Sequence, residues 1–364
     1  MFLPALLLLT GCFKPYADLA ELDFSDVAFE NPNLEALDAR VASVDSSLTC
    51  PDGEAARVFA VYRESWADAR PTAVLLHSGA FDYVRAPDAD APLDGPGYHL
   101  DDRLGLPWSI AKAWETLGIN TRPVDIEEDN SGALAAALVD AGVAVIVPAN
   151  CWGDLWHNVS GEVENDQESE FVTRDGLGLA SATVRSLVDA GLVQETGIQV
   201  PVQVDANQLF LVGLGEGGRG VAELLHRADT PPIAAALVDS SPDALSFWAD
   251  DAITFADEVV GLERLFGADN LGTVDDASLE AAVIAGKAPS RTGVLWSSID
   301  PSLPIDMIAG AGGAVAGLPE AWVVDTGEAT HVQLGDDPEL AAEATRWLLG
   351  EPSVDDESPA DGDE

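Results

Sequence analysis

A doubly wound, mostly parallel α/β sheet with helices on both faces is the fold class this sequence predicts, and three observations predict it. Short apolar runs of β type alternate with segments of helical spacing from about residue 57 to residue 349, the pattern of strand–crossover–strand units. The runs are continuously apolar, as in Val74-Leu75-Leu76 and Phe210-Leu211-Val212, so both faces of the sheet are covered. The composition, 47% hydrophobic with nine Trp and eleven Phe, supplies a sizeable core and excludes disorder throughout. A chain of 364 residues fits one large α/β domain with trimmings or two ordinary domains.

The first segment stands outside the fold. Met1-Phe2-Leu3-Pro4-Ala5-Leu6-Leu7-Leu8-Leu9-Thr10-Gly11-Cys12 is too short to span a bilayer and ends in small residues. Leu9-Thr10-Gly11-Cys12 resembles the bacterial lipoprotein box, in which the signal is cut before the Cys and that Cys carries lipid. Residues 1–11 are then a signal peptide, although no Lys or Arg precedes the Cys. An ordinary secretory signal or a short buried strand is the alternative. The resemblance implies a chain tethered to a membrane through Cys12 and located in the cell envelope. The outer membrane is the default, because Phe13 provides no acidic retention residue. Export also bears on Cys50 and Cys151, which an oxidising envelope allows to pair. Two buried free thiols are the alternative.

Residues 12–52 read as an acidic stalk with a first packing element, in which Leu34–Arg40 has helical spacing. Residues 53–349 hold the domain. Strands are expected at Arg57–Tyr62, Ala73–His77, Val143–Pro148, Gln208–Val212, Ala234–Asp239, Gly293–Ser297 and Ala321–Asp325. Helices are expected at Trp108–Leu117, Gly176–Ala190, Glu216–Arg227, Pro304–Ala316 and Pro338–Leu349. Asp243–Pro289 is helical and acidic and interrupts the alternation, as a small lid over the carboxyl ends of the strands would. The Gly/Pro/Asp-rich stretch Arg85–Leu106 is a second lid candidate. Residues 350–364 carry seven acids, two Pro and no base, a solvated acidic tail. No repeat of solenoid period is visible.

Charge narrows the partners. Sixty-four acids against 17 bases give a net charge of −47, and Lys14, Lys112 and Lys287 are the lysines. Such a surface repels phosphate backbones, so nucleic acid is excluded as a partner. No Cys pattern suggests a zinc site, and no cofactor is expected.

The strongest local signal is Leu209-Phe210-Leu211-Val212-Gly213-Leu214-Gly215-Glu216-Gly217-Gly218-Arg219-Gly220, a strand that enters a glycine-packed turn and leaves as a helix. Two chemistries use this shape. In the nucleophile elbow G-x-S-x-G, small flanking residues permit a strained turn that lifts the central side chain above the sheet. Gly213 and Gly217 take the flanking positions here, and the centre is Gly215 where the pattern has Ser. The dinucleotide fingerprint G-x-G-x-x-G is met by Gly213, Gly215 and Gly218. Asp239 ends the next strand where a ribose-binding carboxylate would stand. By spacing alone the fingerprint is the better match. Against it, some three strands precede this one, and export removes the chain from the cellular NAD pool.

The surroundings favour the elbow. Val74-Leu75-Leu76-His77-Ser78-Gly79-Ala80-Phe81 ends a strand in a turn similar to the oxyanion loop of esterases. Val147-Pro148-Ala149-Asn150-Cys151-Trp152-Gly153-Asp154 runs from a strand into a loop much as the fourth strand of such enzymes does. Val294-Leu295-Trp296-Ser297-Ser298-Ile299-Asp300 looks like the strand-then-Asp segment that supplies a triad acid. Val323-Val324-Asp325-Thr326-Gly327-Glu328-Ala329-Thr330-His331 looks like the last strand followed by the triad His. In this order, over roughly Arg57 to Leu349, the chain resembles the α/β-hydrolase family.

The resemblance implies that His331 is the base, that Asp300 orients it, and that Gly215 stands at the nucleophile position without a side chain to activate. Oxyanion donors are implied around Ser78 or Gly79 and at Glu216, where a carboxylate at a helix start is also favoured by the dipole alone. The expected function is that of an exported, lipid-anchored hydrolase-like protein, impaired in catalysis, that binds a small-molecule or peptide ligand or a partner. An active hydrolase of ester or amide substrates is the alternative, using water or a hydroxyl such as Ser78, Ser240 or Ser241. Dinucleotide binding is the second.

Blander roles stand beside these. Asp300 before Pro301 fits a plain turn, His331 a surface site, and His77 a support for its turn. Asp154 and His157 are two potential metal ligands with no third nearby. Asn158-Val159-Ser160 is a sequon that a bacterial lipoprotein would not use. His99 and His226 fit loop and helix surfaces.

Overall fold

The computed structural model describes residues 34, 36–49, 55–77, 113, 116–117, 132–149, 178–241, 278–298, 305–327, 333–335 and 337–351. Eight strands form one sheet in the order β1-β2-β4-β3-β5-β6-β7-β8. They are β1 Arg40–Thr49, β2 Ala55–Tyr62, β3 Arg70–Leu76, β4 Ala144–Ala149, β5 Val204–Leu214, β6 Ala235–Asp239, β7 Arg291–Trp296 and β8 Trp322–Asp325. Strand β2 opposes both of its neighbours, and every pair from β4 to β8 is parallel. The predicted class is the observed one.

Seven helices are described: α1 Ala133–Asp140, α2 Gly178–Ser186, α3 Ala190–Thr196, α4 Glu216–His226, α5 Leu279–Ile284, α6 Ile305–Val315 and α7 Pro338–Leu349. Successive strand residues turn to opposite faces, which divides the core in two. On one face Leu75, Val145, Val147, Phe210, Val212 and Leu237 meet α1 and α7 through residues such as Leu134, Leu138, Ala344 and Leu348. On the other, Val74, Leu76, Leu211, Ala236 and Val238 meet α2, α4, α5 and α6 through residues such as Val184, Val221, Leu224 and Ala282. Strands β4 and β6 are buried along their whole length, as their unbroken apolar runs foretell.

Helix α7 shows how local sequence sets an element. Asp337 caps its start by accepting from the N–H groups of Glu339 and Leu340, and Pro338 follows in the first turn. Gly350 closes it at φ 77°, where a side chain is disfavoured. Behind the helix, the rings of Trp347 and Trp322 stack with centroids 5.8 Å apart.

Several expectations shift. Residues 40–49, placed in an acidic stalk, form the edge strand β1. Its Asp- and Ser-rich alternation hid a strand buried on one side, where Val44 and Ser46 are buried and Ser46 Oγ donates to the Ala56 carbonyl at 2.7 Å. Helix α1 is apolar nearly all round, because it is buried, and so presents no polar stripe to reveal it. The helix expected over 176–190 is two, since Asp189 breaks off and caps α3 by accepting from Gly191 N–H. Helix α5 lies at the end of the segment proposed as a lid and packs Leu279 and Ala282 into the core. Residues 243–277 of that segment and the stretch 85–106 lie outside the described residues, as do 1–33 and the tail beyond 351. Of the helix expected at 108–117, Ala113, Thr116 and Leu117 are described, with Ala113 and Leu117 buried. Among the described residues no helix is long and apolar enough to cross a membrane.

Asp337→Ala is expected to lower the unfolding free energy by about 1 kcal/mol through loss of the cap. Leu237→Ala, at a fully buried site, is expected to lower it by about 2–5 kcal/mol. Urea midpoints of the two variants against the native chain check both.

Candidate functional site

The chain order reverses between β3 and β5, because β3 leads to β4 on one side and β5 leads to β6 on the other. At such a switch point the connections leave the carboxyl ends of adjacent strands in opposite directions and open a crevice. The glycine-packed turn lies there. Strand β5 ends at Leu214, Gly215 takes φ 52° and ψ −126°, and α4 starts at Glu216. Residues with side chains hold this conformation only under strain.

The flanking glycines are required by contact. A Cβ on Gly213 would stand 2.3 Å from the Gly218 backbone, and one on Gly217 would stand 1.9 Å from the Leu76 carbonyl oxygen at the end of β3. A Cβ on Gly218 would meet Val238 and Ser241 at 2.4 Å. The turn is thereby pressed against the ends of both β3 and β6. Gly215 N–H donates to the Asp239 carbonyl at 2.9 Å, and Gly218 N–H donates to the Gly215 carbonyl at 3.0 Å. Glu216 is the first residue of α4, so its N–H has no carbonyl one turn earlier within the helix to bond.

Asp239 is the residue whose part in this site the sequence reading missed. It ends β6, pairs with Leu214 on one side and Leu295 on the other, and is fully buried. One carboxylate oxygen accepts from Leu334 N–H at 2.7 Å and the other from Ser240 Oγ at 2.7 Å. Leu334 belongs to the core, Gln333 is buried, and the Gly335 carbonyl accepts from Ala133 N–H. The chain after β8 is thus pinned at the carboxyl end of β6. A lone acid closing an otherwise apolar strand, Ala235-Ala236-Leu237-Val238-Asp239, was the available signal.

This fold has solved counterparts, while the sequence matches no protein-family model and no curated protein. A sugar hydrolase from Lactococcus lactis aligns over 85% of this chain and 98% of its own, at a TM-score of 0.50 and 12% identity. Carboxyl esterase 2 from the mycorrhizal fungus Tuber melanosporum aligns over 93% of each chain, at a TM-score of 0.50 and 14% identity. The chain has the α/β-hydrolase fold. At these identities the likeness is one of fold.

Gly215 stands between Leu214, the last residue of β5, and Glu216, the first of α4. Its proposed companions Asp300 and His331, the loop residues Ser78 and Gly79, and Cys12, Cys50 and Cys151 all lie outside the described residues. So do Asp154, His157, Asn158 and His99. The described flanks are informative. His77 is fully buried, and its carbonyl oxygen faces Gly217. Ser240 is fully buried at φ 52° with its hydroxyl turned to Asp239, which keeps it from acting as an exposed nucleophile. Both oxygens of Asp239 are engaged inside the protein, which opposes the ribose-binding role that a dinucleotide site would require of it. His226, at the end of α4, directs Nε2 to the Ser278 carbonyl at 3.1 Å, so Nδ1 accepts from Lys287 Nζ. Among the described residues no group of three or more His, Cys, Asp or Glu is placed to hold a metal.

After β7 and β8 the chain is tied by Asp325, whose carboxylate accepts from the N–H groups of Ser298 at 2.9 Å and Gly327 at 3.1 Å. The bond from Ser298, with a smaller one from Gly327, holds this carboxyl below its usual value. A carboxyl depressed in the folded state contributes stability above its unfolded value of about 3.9, and that contribution is lost as pH falls through the folded value. Amide protection at Ser298 and Gly327 is therefore expected to decline below about pH 4. Asp325→Asn should flatten that decline, as hydrogen exchange would show. In the turn after β5, Gly217→Ala is expected to cost about 3 kcal/mol or more, because its Cβ meets backbone. Gly286→Ala, with open space around it but φ 67°, should cost only about 1–2 kcal/mol. Denaturant midpoints separate the two.

Proposed function

We propose that this chain is an exported protein of the hydrolase type, lipid-anchored at Cys12, that has lost its nucleophile and binds a small-molecule or peptide ligand at the elbow instead of cleaving it. The observation that carries the proposal is Gly215. It adopts the strained backbone of an elbow centre, between glycines that contact alone explains, yet it offers no side chain to attack a carbonyl. His331 as base, Asp300 as its carboxylate, and main-chain donors near Ser78, Gly79 and Glu216 are the retained helpers in this proposal. A disulfide between Cys50 and Cys151 belongs to the same exported state.

Magnitude separates a binder from an enzyme. Hydrolases stripped of triad members keep about 10³–10⁴-fold acceleration from oxyanion donors and binding. The intact machinery adds about 10⁶-fold, or about 8 kcal/mol of transition-state stabilisation. A glycine at position 215 forgoes that larger share.

Installing Gly215→Ser and assaying short-chain p-nitrophenyl esters tests the proposal. The native chain is expected to be near background and the variant to gain several orders of magnitude in kcat/KM. The variant should also be less stable by about 1–3 kcal/mol, since a side chain must now hold φ 52° and ψ −126°. Turnover of esters by the native chain, or a folded variant with no gain, would refute the proposal.

A further inference from the structure

We propose that His226, Ser278 and Lys287 form a pH-sensitive clasp: a neutral His226 fastens both ends of α5 to the end of α4, and acid opens the clasp by protonating the imidazole. The device uses neither the turn after β5 nor any residue of the hydrolase-type function, so it stands or falls apart from that function.

Helix α4 ends at His226, and α5 runs from its cap residue Ser278 to Ile284. His226 Nε2 lies 3.1 Å from the Ser278 carbonyl oxygen, at the start of α5. Lys287, just past the end of α5, brings Nζ to 3.2 Å from His226 Nδ1 and to 3.1 Å from the His226 carbonyl oxygen. One half-buried residue therefore holds both ends of α5. The bond to the His226 carbonyl satisfies an acceptor that a helix leaves open at its carboxyl end. Lys287 in turn sits on a bonded turn, because its N–H and that of Ala288 donate to the Ala282 carbonyl and Gly286 N–H donates to that of Val283.

These partners admit one protonation state. A carbonyl only accepts, so Nε2 carries the proton; an ammonium only donates, so Nδ1 is the bare acceptor. The imidazole that fits is the neutral one. A proton added at Nδ1 removes that acceptor and sets a cation against the Lys287 ammonium. A helix carboxyl end favours a cation, but Lys287 already supplies it. The carboxylates around the clasp are engaged elsewhere. On α4, Glu223 accepts from Arg219. After α4, Asp229 accepts from Arg227 and pairs with Arg185 of α2. On α5, Glu280 is directed to α6, its Oε2 lying 3.0 Å from where a Cβ on Gly310 would stand. Beneath α4, β3 carries Arg70 over the Trp66 ring, and β5 carries Asp205, which accepts from Asn207 and Gln208. Asp239 ends β6 beside Gly215, at the opposite end of α4. Lys287 is thus the charge that a protonated His226 meets.

Hydrogen exchange of the full-length native chain at about pH 8 and about pH 5, between which an imidazole changes charge, tests the clasp. After correction for the intrinsic pH dependence of exchange, protection of the Gly286, Lys287 and Ala288 amides is expected to fall about tenfold at the lower pH, the loss of one bond to a charged group. The Ala341 and Gly350 amides, bonded in and after α7, are the reference and are expected to hold. His226→Gln keeps a neutral donor for the Ser278 carbonyl and does not titrate, and Lys287→Met removes the opposing charge. Each is expected to abolish the fall. Equal protection at both pH values in the native chain overturns the proposal, as does a fall shared by the α7 amides or one that persists in a folded variant. Should His226→Gln not fold, Lys287→Met, at an exposed side chain, decides alone: a flat response upholds the clasp and a retained fall removes it.

Discussion

The close approach of the turn after β5 to the last carbonyl of β3 is the constraint on which the site depends. With Gly217 lying where any Cβ would enter the Leu76 carbonyl, α4 can start directly above the sheet and the two strands at the switch point stay in contact. Gly213 and Gly218 serve the same approach from the strand and from the β6 side. The peptide at Gly215 is then forced into a conformation that other residues hold only at a cost. A serine at this position would carry that strain for the sake of reactivity. A glycine keeps the geometry and sheds the strain.

Strand β6 ties this turn to the rest of the molecule. The main chain of Asp239 anchors Gly215 and its side chain anchors Leu334, so the elbow and the segment after β8 share one support. Across the sheet edge, Asp325 joins the ends of β7 and β8. The carboxyl ends of the strands are thus linked by carboxylates that accept backbone N–H groups. In a chain with 64 acids and 17 bases, main-chain donors meet part of the demand that basic side chains cannot.

The sequence disclosed most of the sheet because buried parallel strands are unbroken apolar runs: β4, β5, β6 and β7 were legible from residues such as Val145-Ile146-Val147 and Ala236-Leu237-Val238. It disclosed α7 through Asp337-Pro338 at the start and Gly350 at the end. It concealed β1, an edge strand whose apolar residues are broken by Ser43, Asp45, Ser46 and Ser47, and α1, whose alanines give no amphipathic face. The glycine-packed turn was legible from the sequence, but spacing alone favoured a dinucleotide fingerprint over an elbow. The structure adds that both oxygens of Asp239 are engaged within the protein, which opposes the ribose-binding role of a dinucleotide site. Asp239 itself was read for its distance along the chain, whereas its partner Leu334 lies 95 residues away and is brought to it by the sheet.

Covalent labelling reaches the central claim most directly, because it depends on position 215 alone and not on any guess at a natural ligand. Native and Gly215→Ser chains would be exposed to an alkyl fluorophosphonate, which phosphonylates an activated serine hydroxyl with loss of fluoride, and digested for mass analysis. The account predicts one phosphonyl group on the peptide containing position 215 in the variant and none on the native chain. A labelled native chain, or a folded variant that stays unlabelled, would contradict it.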